Sequence, residues 1–163
     1  MPKFKLDFDE TEVDPIKVYG LISDLQILSL CFRLNKDLNL SLARCEQDLK
    51  VQEAEGIYHY AVYQHLLGEA PIYLCPNRSY FADIKSLETG SLFHEEINQE
   101  KGLIKTKDPI GFYLWHFENE DDSQLYRNIV SEIKTLSYIK ALSELKPRQT
   151  LMFEEKTKDY HGI

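Results

Sequence analysis

Seven consecutive residues in the second half of the chain constrain the fold more than any other segment. The run Gly111 to Phe117 reads Gly-Phe-Tyr-Leu-Trp-His-Phe, and an acidic turn at 118–122 follows it. It is too short for a stable helix and is dominated by aromatic residues. We therefore predict an interior strand that buries side chains on both of its faces and leads into an amphipathic helix.

Composition limits the class of protein. The 163 residues match one ordinary domain, with 28% charged, 43% hydrophobic and 12% aromatic residues. These fractions are typical of globular proteins, and the length is enough to bury a core without disulfides or metals. We predict a single domain over residues 1–163.

Charge, hydropathy and cysteine content limit the partners and the compartment that we expect. The net charge of -8 and the isoelectric point near 5.1 disfavour nucleic acid and acidic lipid surfaces. Neither a signal peptide nor a run of 18 apolar residues is found, which argues against export and membrane insertion. The three cysteines, Cys31, Cys45 and Cys75, are widely spaced and odd in number, which favours a reducing compartment. We predict a cytoplasmic protein.

Period-two alternation predicts several strands. Phe4, Leu6 and Phe8 alternate with charged residues, as in a half-buried edge strand. A turn at 53–56 separates two further alternating segments and favours a hairpin. The other predicted strands lie around residues 40–42, 49–51, 57–64 and 72–75.

Two helices are predicted from three- and four-residue spacing. Ser23 and Gln26 have the spacing of a capping box, so the first helix is expected to begin there and to end near Asn39. Asp122 or Ser123 would cap the second helix. The residues predicted to line the buried faces are Leu25, Leu28, Cys31, Phe32, Leu34 and Leu38 in the first helix, and Leu125, Ile129, Ile133 and Leu136 in the second.

The remaining segments are less regular. Residues 78–101 have no sustained period and are predicted to form a long irregular connection. After the second helix the chain either continues helical to Leu145 or forms a strand over 138–142, and we favour the strand. Residues 151–153 form a last short apolar segment, before a C-terminus expected to fray over about 155–163. This order predicts an α+β fold, with a mostly antiparallel sheet of about five or six strands and two main helices packed on one face.

Some stretches of this chain carry a family resemblance. They are Lys5-Leu6-Asp7-Phe8, Gly20-Leu21-Ile22-Ser23, Leu34-Asn35-Lys36 with Leu40 and Leu42, and Leu151-Met152-Phe153. In these stretches the chain resembles the IPExxxVDY family, a group of uncharacterised bacterial proteins found mainly in Bacteroidota. The naming motif would fall at 103–113, where this chain keeps an apolar start and the final tyrosine but lacks the Pro-Glu and Val-Asp pairs. The resemblance implies a cytoplasmic protein of unknown activity and supplies no catalytic residue.

No motif in the chain predicts a metal or a cofactor. His94-Glu95-Glu96 has no second ligand pair at a zinc-site spacing, so a solvated charged turn explains it better. The acidic turn at 118–122 lacks the alternating ligands and glycine of a calcium loop, and capping of the second helix explains its charge. Neither a G-x-S-x-G elbow nor a glycine-rich phosphate loop is present.

Two histidines are the candidates for acid–base chemistry. His59 and His116 both lie in predicted strands among aromatic residues. A neutral, hydrogen-bonded core histidine is the commoner outcome at such positions. If both faced one cleft, they would become the first catalytic candidates.

The aromatic residues on the strands suggest a partner surface. Tyr58, Tyr60, Tyr113 and Trp115 are expected either to pack in the core or to contact another protein. Two helices cover only one face of such a sheet, so residues buried on both sides of 111–117 need a further cover, which a partner chain would provide.

We therefore predict a non-enzymatic interaction or assembly module that binds another protein or a second copy of itself through its aromatic sheet face. The alternative is a small enzyme that acts on a polar metabolite near the 78–101 connection, with His59 or His116 as its acid–base group. A pocket in which a histidine and a carboxylate converge would favour the enzyme. A flat, aromatic, symmetric contact would favour assembly.

Overall fold

The structure, a computed structural model, describes residues 15–67, 70–84, 100–118 and 121–160. The predicted strand over Phe4 to Phe8 lies outside these residues. Within them the chain forms nine strands and three helices. The strands are β1 (Ile16–Ile22), β2 (Ala43–Arg44), β3 (Leu49–Gln52), β4 (Gly56–Tyr60), β5 (Tyr63–Leu67), β6 (Ala70–Pro76), β7 (Phe81–Ile84), β8 (Phe112–Phe117) and β9 (Ala141–Glu144), and the helices are α1 (Ile27–Leu38), α2 (Ser123–Lys134) and α3 (Pro147–Thr157).

The described strands form two antiparallel sheets. Six of them lie in the order β2-β5-β6-β8-β1-β9, and three lie in the order β3-β4-β7. The aromatic run forms β8, which is an interior strand between β6 and β1, with Trp115 opposite Tyr73 on one side and Val18 on the other. The prediction of a mixed fold with antiparallel sheets is confirmed. The second sheet was not predicted.

Alternate residues of β8 enter two separate apolar clusters. Tyr113 and Trp115 lie in what we call the α3 cluster, which combines residues from both sheets with Phe153 of α3. Phe112 and Leu114 lie in what we call the α1–α2 cluster, which combines the six-stranded sheet with residues of α1 and α2. The interior strand therefore buries side chains on both faces, as its sequence predicts.

Helix α3 continues to Thr157 and so extends into the segment 155–163 that was expected to fray, of which residues 161–163 lie outside the described part. Pro147 occupies the first turn of the helix, where its missing N–H costs nothing. Phe153 is fully buried, and its ring centroid lies 5.2 Å from that of Tyr113 and 5.1 Å from that of Trp115. Tyr160, beyond the helix, packs edge-on against Tyr73 at 5.9 Å.

The helix start expected at the Ser23–Gln26 capping box is wrong by a few residues, because α1 begins only at Ile27, after Gln26 as its N-cap. The Ser23 hydroxyl accepts from the Leu25 amide at 3.2 Å and donates to the Tyr138 carbonyl at 2.7 Å, so it holds the connection between β1 and α1. The end of α1 is as predicted, since Asn39 adopts the left-handed conformation, with φ 53°, that ends many helices.

The buried face of α1 differs from the predicted stripe. Leu30, Cys31 and Leu34 are buried, whereas Leu28 and Phe32 are 69% and 68% exposed. Leu125 of α2, also predicted to be buried, is 45% exposed. Spacing alone indicates a helical period but does not decide which of two adjacent stripes meets the sheet.

The single strand predicted over 57–64 is two strands in different sheets. The chain leaves the three-stranded sheet after Tyr60 and enters the six-stranded sheet at Tyr63. At the start of β4, a Cβ on Gly56 would clash with the carbonyl oxygen of Asp83 in β7, so this close pairing requires glycine. Strand β7 itself falls within 78–101, which was expected to be irregular.

The segment after α2 forms a strand and not a continued helix. Strand β9 lies a few residues later than the predicted 138–142, and Leu142 enters the α1–α2 cluster. The favoured alternative is therefore correct in type and shifted in position.

We expect Phe153→Ala to lower the free energy of unfolding by about 3–5 kcal/mol, because it removes a buried ring that contacts two others. Leu151→Ala, on the same helix but 66% exposed, is the matched control and should change stability by less than about 0.5 kcal/mol. Urea denaturation followed by circular dichroism measures both. Equal losses in the two variants would show that the α3 cluster is not formed as described.

Candidate functional site

His59 lies beside a carboxylate on the outer face of the three-stranded sheet. Tyr58 and Tyr60, its neighbours on β4, point into the α3 cluster, so the alternation of the strand turns His59 away from it. The His59 Nδ1 atom lies 3.4 Å from Asp48 Oδ2. The His59 ring also packs edge-on against Phe81, with ring centroids 5.1 Å apart.

Asp48 is the centre of a polar cluster. Its carboxylate accepts hydrogen bonds from the Tyr80 hydroxyl and from Arg44 Nη2, in addition to its contact with His59. Burial alone would raise the pKa of Asp48, but the hydrogen bonds from Tyr80 and Arg44 outweigh it and the net pKa is lowered. The carboxylate therefore stays ionised and can orient the imidazole.

Arg44 joins this cluster to the six-stranded sheet. It belongs to β2, at the edge of that sheet, and its Nη1 donates to the Cys45 carbonyl at 3.2 Å. Its guanidinium carbon lies 5.9 Å from the centroid of the Tyr63 ring and 5.7 Å from that of Tyr80. Cation–π contacts of this kind and the Asp48 carboxylate hold the charged group in place.

A cavity of about 600 Å³ opens beside the histidine and the carboxylate. It lies between the segment that precedes β3, the hairpin of β3 and β4, and the C-terminal end of α3. Its ionisable lining side chains include Glu46, Asp48, Lys50, His59, Lys156 and Asp159. The Tyr160 hydroxyl donates to the Gln47 carbonyl at 3.1 Å and so ties the end of the chain to the same wall.

His116 occupies a different environment. It is 3% exposed, and its ring stacks on that of Tyr126 of α2, with centroids 3.8 Å apart and an interplanar angle of 7°. Its Nδ1 lies 3.3 Å from the Phe117 carbonyl oxygen, and its Nε2 has no hydrogen-bond partner in the described part of the chain. Burial lowers the pKa of His116. The two histidines therefore do not share a cleft.

The four aromatic residues proposed as a partner surface lie in the core. Tyr58, Tyr60, Tyr113 and Trp115 are 4%, 1%, 0% and 1% exposed. The sheet face that was expected to need a partner is covered by the second sheet and by α3. This corrects the partner-surface interpretation and leaves core packing as the role of these rings.

Sequence reasoning missed Asp48, although a signal for it was present. The hairpin turn at 53–56 sets a register in which Lys50 faces His59. Residues two apart on a strand share a face, so Asp48 becomes the diagonal neighbour of His59. Arg44 and Tyr80 carried no such local signal, because their positions depend on contacts between distant segments.

The remaining candidates from the sequence are metal ligands, the acidic turn and the cysteines. No group of three His, Cys, Asp or Glu residues there is arranged to hold a metal ion. His94-Glu95-Glu96 lies outside the described residues, as do residues 119–120 of the acidic turn. All three cysteines are free and buried, and burial raises the pKa of Cys31 to about 12, so this thiol is a poor nucleophile.

Comparisons with known proteins give no identification. Neither a family model, nor a curated protein, nor a solved structure matches this chain. The resemblance to the IPExxxVDY family thus stays a prediction. Across the described ranges, every helix is too short or too polar to cross a membrane.

Asp48→Asn should lower the free energy of unfolding at pH 7 by about 1–2 kcal/mol, because charge-assisted hydrogen bonds are lost. The folded-state pKa of Asp48 is lowered from 3.8, so its contribution is present above that pH and disappears as the pH falls through the folded value. Urea denaturation of both proteins at pH 7 and below the pKa should show the difference shrinking.

Asp83→Asn is the matched control, because Asp83 lies on β7 of the same sheet and is exposed. It should change the stability by less than about 0.5 kcal/mol at either pH. A difference between Asp48→Asn and wild type that does not vary with pH would contradict the account of Asp48.

Proposed function

We propose that the protein binds a small polar molecule in the cavity beside His59 and that His59 exchanges a proton with this ligand. One observation carries the proposal, namely that His59 and Asp48 converge on a cavity of about 600 Å³. This volume is in the range of small-molecule sites. A histidine next to an orienting carboxylate is a common arrangement for acid–base chemistry.

The polar cluster supports a defined role for each group. Asp48 accepts the Nδ1–H of neutral His59, which leaves the Nε2 lone pair available to accept a proton. Tyr80 and Arg44 hold the Asp48 carboxylate in place. In this proposal His59 is the acid–base group, and Asp48 is a positioning residue that fixes its tautomer and orientation.

The cavity lining supports a polar ligand. Glu46 and Asp159 form no ion pair with another described residue, whereas Lys156 is bound to Glu53 at 2.7 Å. Charged side chains of both signs on one wall favour molecules with polar or ionic groups and disfavour apolar ones. The three free cysteines support a reducing, cytoplasmic compartment as part of the proposal.

NMR of the histidine ring signals of the protein, titrated with pools of polar amines, carboxylic acids and alcohols, tests this function. Fragments that bind should shift the ring signals of His59, and His59→Gln should weaken their binding by about tenfold or more, because a hydrogen bond to a charged group is lost. His65→Gln is the matched control, because His65 lies on β5 and its Nδ1 accepts from the Ser41 amide at 3.0 Å. Binding unaffected by His59→Gln, or a His59 signal that no fragment moves, would refute the proposal.

An assembly function is a second candidate, now supported by a different surface. Leu28 and Phe32 lie one turn apart on α1 and are 69% and 68% exposed. Two large apolar side chains at this spacing form a continuous stripe, of the kind that helices use in protein contacts. In this proposal a second copy of the chain covers the stripe.

Light scattering over a range of concentrations tests the assembly. The wild type should show a concentration-dependent rise in mass, and Leu28→Glu with Phe32→Glu should remain monomeric with little change in stability, because both side chains are exposed. Leu151→Glu on α3, with 66% exposure, is the control and should associate like the wild type. A wild type that stays monomeric throughout would remove this candidate.

A further inference from the structure

Between Gln124 and Lys134, the contacts that helix α2 makes with the other described elements are apolar. Tyr126, Val130 and Ile133 are its buried residues and belong to the α1–α2 cluster. The side-chain hydrogen bond within the helix joins Gln124 to Asn128 at 2.9 Å. From Gln124 to Lys134, no side chain makes a hydrogen bond or ion pair with another element in the described part of the chain.

Tyr126, the largest buried side chain of α2, packs against the ionisable ring of His116. Tyr126 stacks face to face on His116, at 3.8 Å and 7°, and both residues are buried. The His116 Nε2 atom and the Tyr126 hydroxyl are each buried without a hydrogen-bond partner among the described residues. Unsatisfied polar groups of this kind weaken the contact that holds the helix.

The groups around His116 compensate a positive charge only in part. On β1, Tyr19 stacks at 6.2 Å, and Lys17 is the cross-strand partner of His116. On β6, the cross-strand partner is the apolar Ile72. Glu118, which directly follows β8, favours protonation through its charge, whereas Lys17 of β1 opposes it. The α2 side of the ring is covered by the neutral Tyr126.

From this geometry we propose that protonation of His116 releases α2 from the six-stranded sheet. A charged imidazole between the sheet and the helix would be removed from water on both sides. Two neighbouring strands hold the ring on the sheet side, whereas the described contacts of Gln124 to Lys134 on the helix side are apolar packing. Movement of α2 is therefore the least costly way to hydrate the charge, and it uncovers part of the α1–α2 cluster.

The direction of the pH dependence follows from burial. Burial lowers the pKa of His116 below its ordinary value of 6.5, and the Phe117 carbonyl and Glu118 oppose this only in part. When α2 is released the ring is hydrated and its pKa returns towards 6.5, so the released state binds more protons. Release therefore becomes easier as the pH falls below about 6.5, by at most about tenfold per pH unit, and levels off below the folded-state pKa.

Hydrogen exchange measured by mass spectrometry on the full chain, from about pH 7.5 to about pH 5, tests the proposal. After correction for intrinsic exchange rates, the opening equilibrium of the amides in α2 should rise several-fold as the pH falls over this range. The opening equilibrium of the amides in α3 and β4 should not change with pH. His116→Phe keeps a ring against Tyr126 but cannot titrate, so its α2 should open equally at all of these pH values, and His116→Gln is a second variant without titration.

Tyr126→Phe is the matched control, because it keeps the stack and the titrating histidine and should retain the pH dependence. The same pH dependence in His116→Phe or His116→Gln as in the wild type would overturn the proposal. So would parallel opening of α2, α3 and β4, because acid would then unfold the whole protein and not release one helix. None of these outcomes depends on ligand binding at His59.

Discussion

The structure depends on the burial of both faces of β8. Side chains on a strand alternate between faces, so Phe112 and Leu114 enter one apolar cluster while Tyr113 and Trp115 enter the other. A sheet whose central strand is apolar on both sides needs a layer on each side. Residues of α1 and α2 share one apolar cluster with the six-stranded sheet, and residues of the second sheet and α3 share the other. The single chain thereby supplies the cover that the sequence suggested a partner would have to provide.

The polar cluster at Asp48 joins the two sheets by charge, in addition to the apolar packing of the α3 cluster. Arg44 comes from β2 at the edge of the large sheet, whereas His59 comes from β4 of the small sheet. Tyr80 precedes β7 and completes the set of donors to the carboxylate. A carboxylate held by two donors and in contact with His59 resists displacement, because Arg44 and Tyr80 would otherwise lose charge-assisted hydrogen bonds. The same arrangement that connects the sheets therefore also orients His59.

The sequence predicted elements whose signals are local and missed those fixed by distant contacts. Strand β8 and the end of α1 at Asn39 were predictable because aromatic density and helix termination act over a few residues. Strand β1 was missed because its pairing partners, β8 and β9, lie far along the chain. In the candidate site, His59 was identified from the sequence, and the hairpin register could have identified Asp48. Arg44 and Tyr80 could not have been identified, because the pairing of β2 with β5 and of β7 with β4 brings them to the site.

His59 and His116 show why residue type and strand position alone could not assign a role. Both were predicted in strands among aromatic residues, and both lie in strands next to an aromatic ring. What separates them is the element that covers each ring. His59 lies beside a carboxylate and lines a cavity with it, and the acid–base role that we propose depends on this exposure. His116 lies buried between a sheet and a helix, so the role that we propose for it depends on the cost of a charge within the packing. The surroundings of each ring, and not the residue type, therefore distinguish the two proposals.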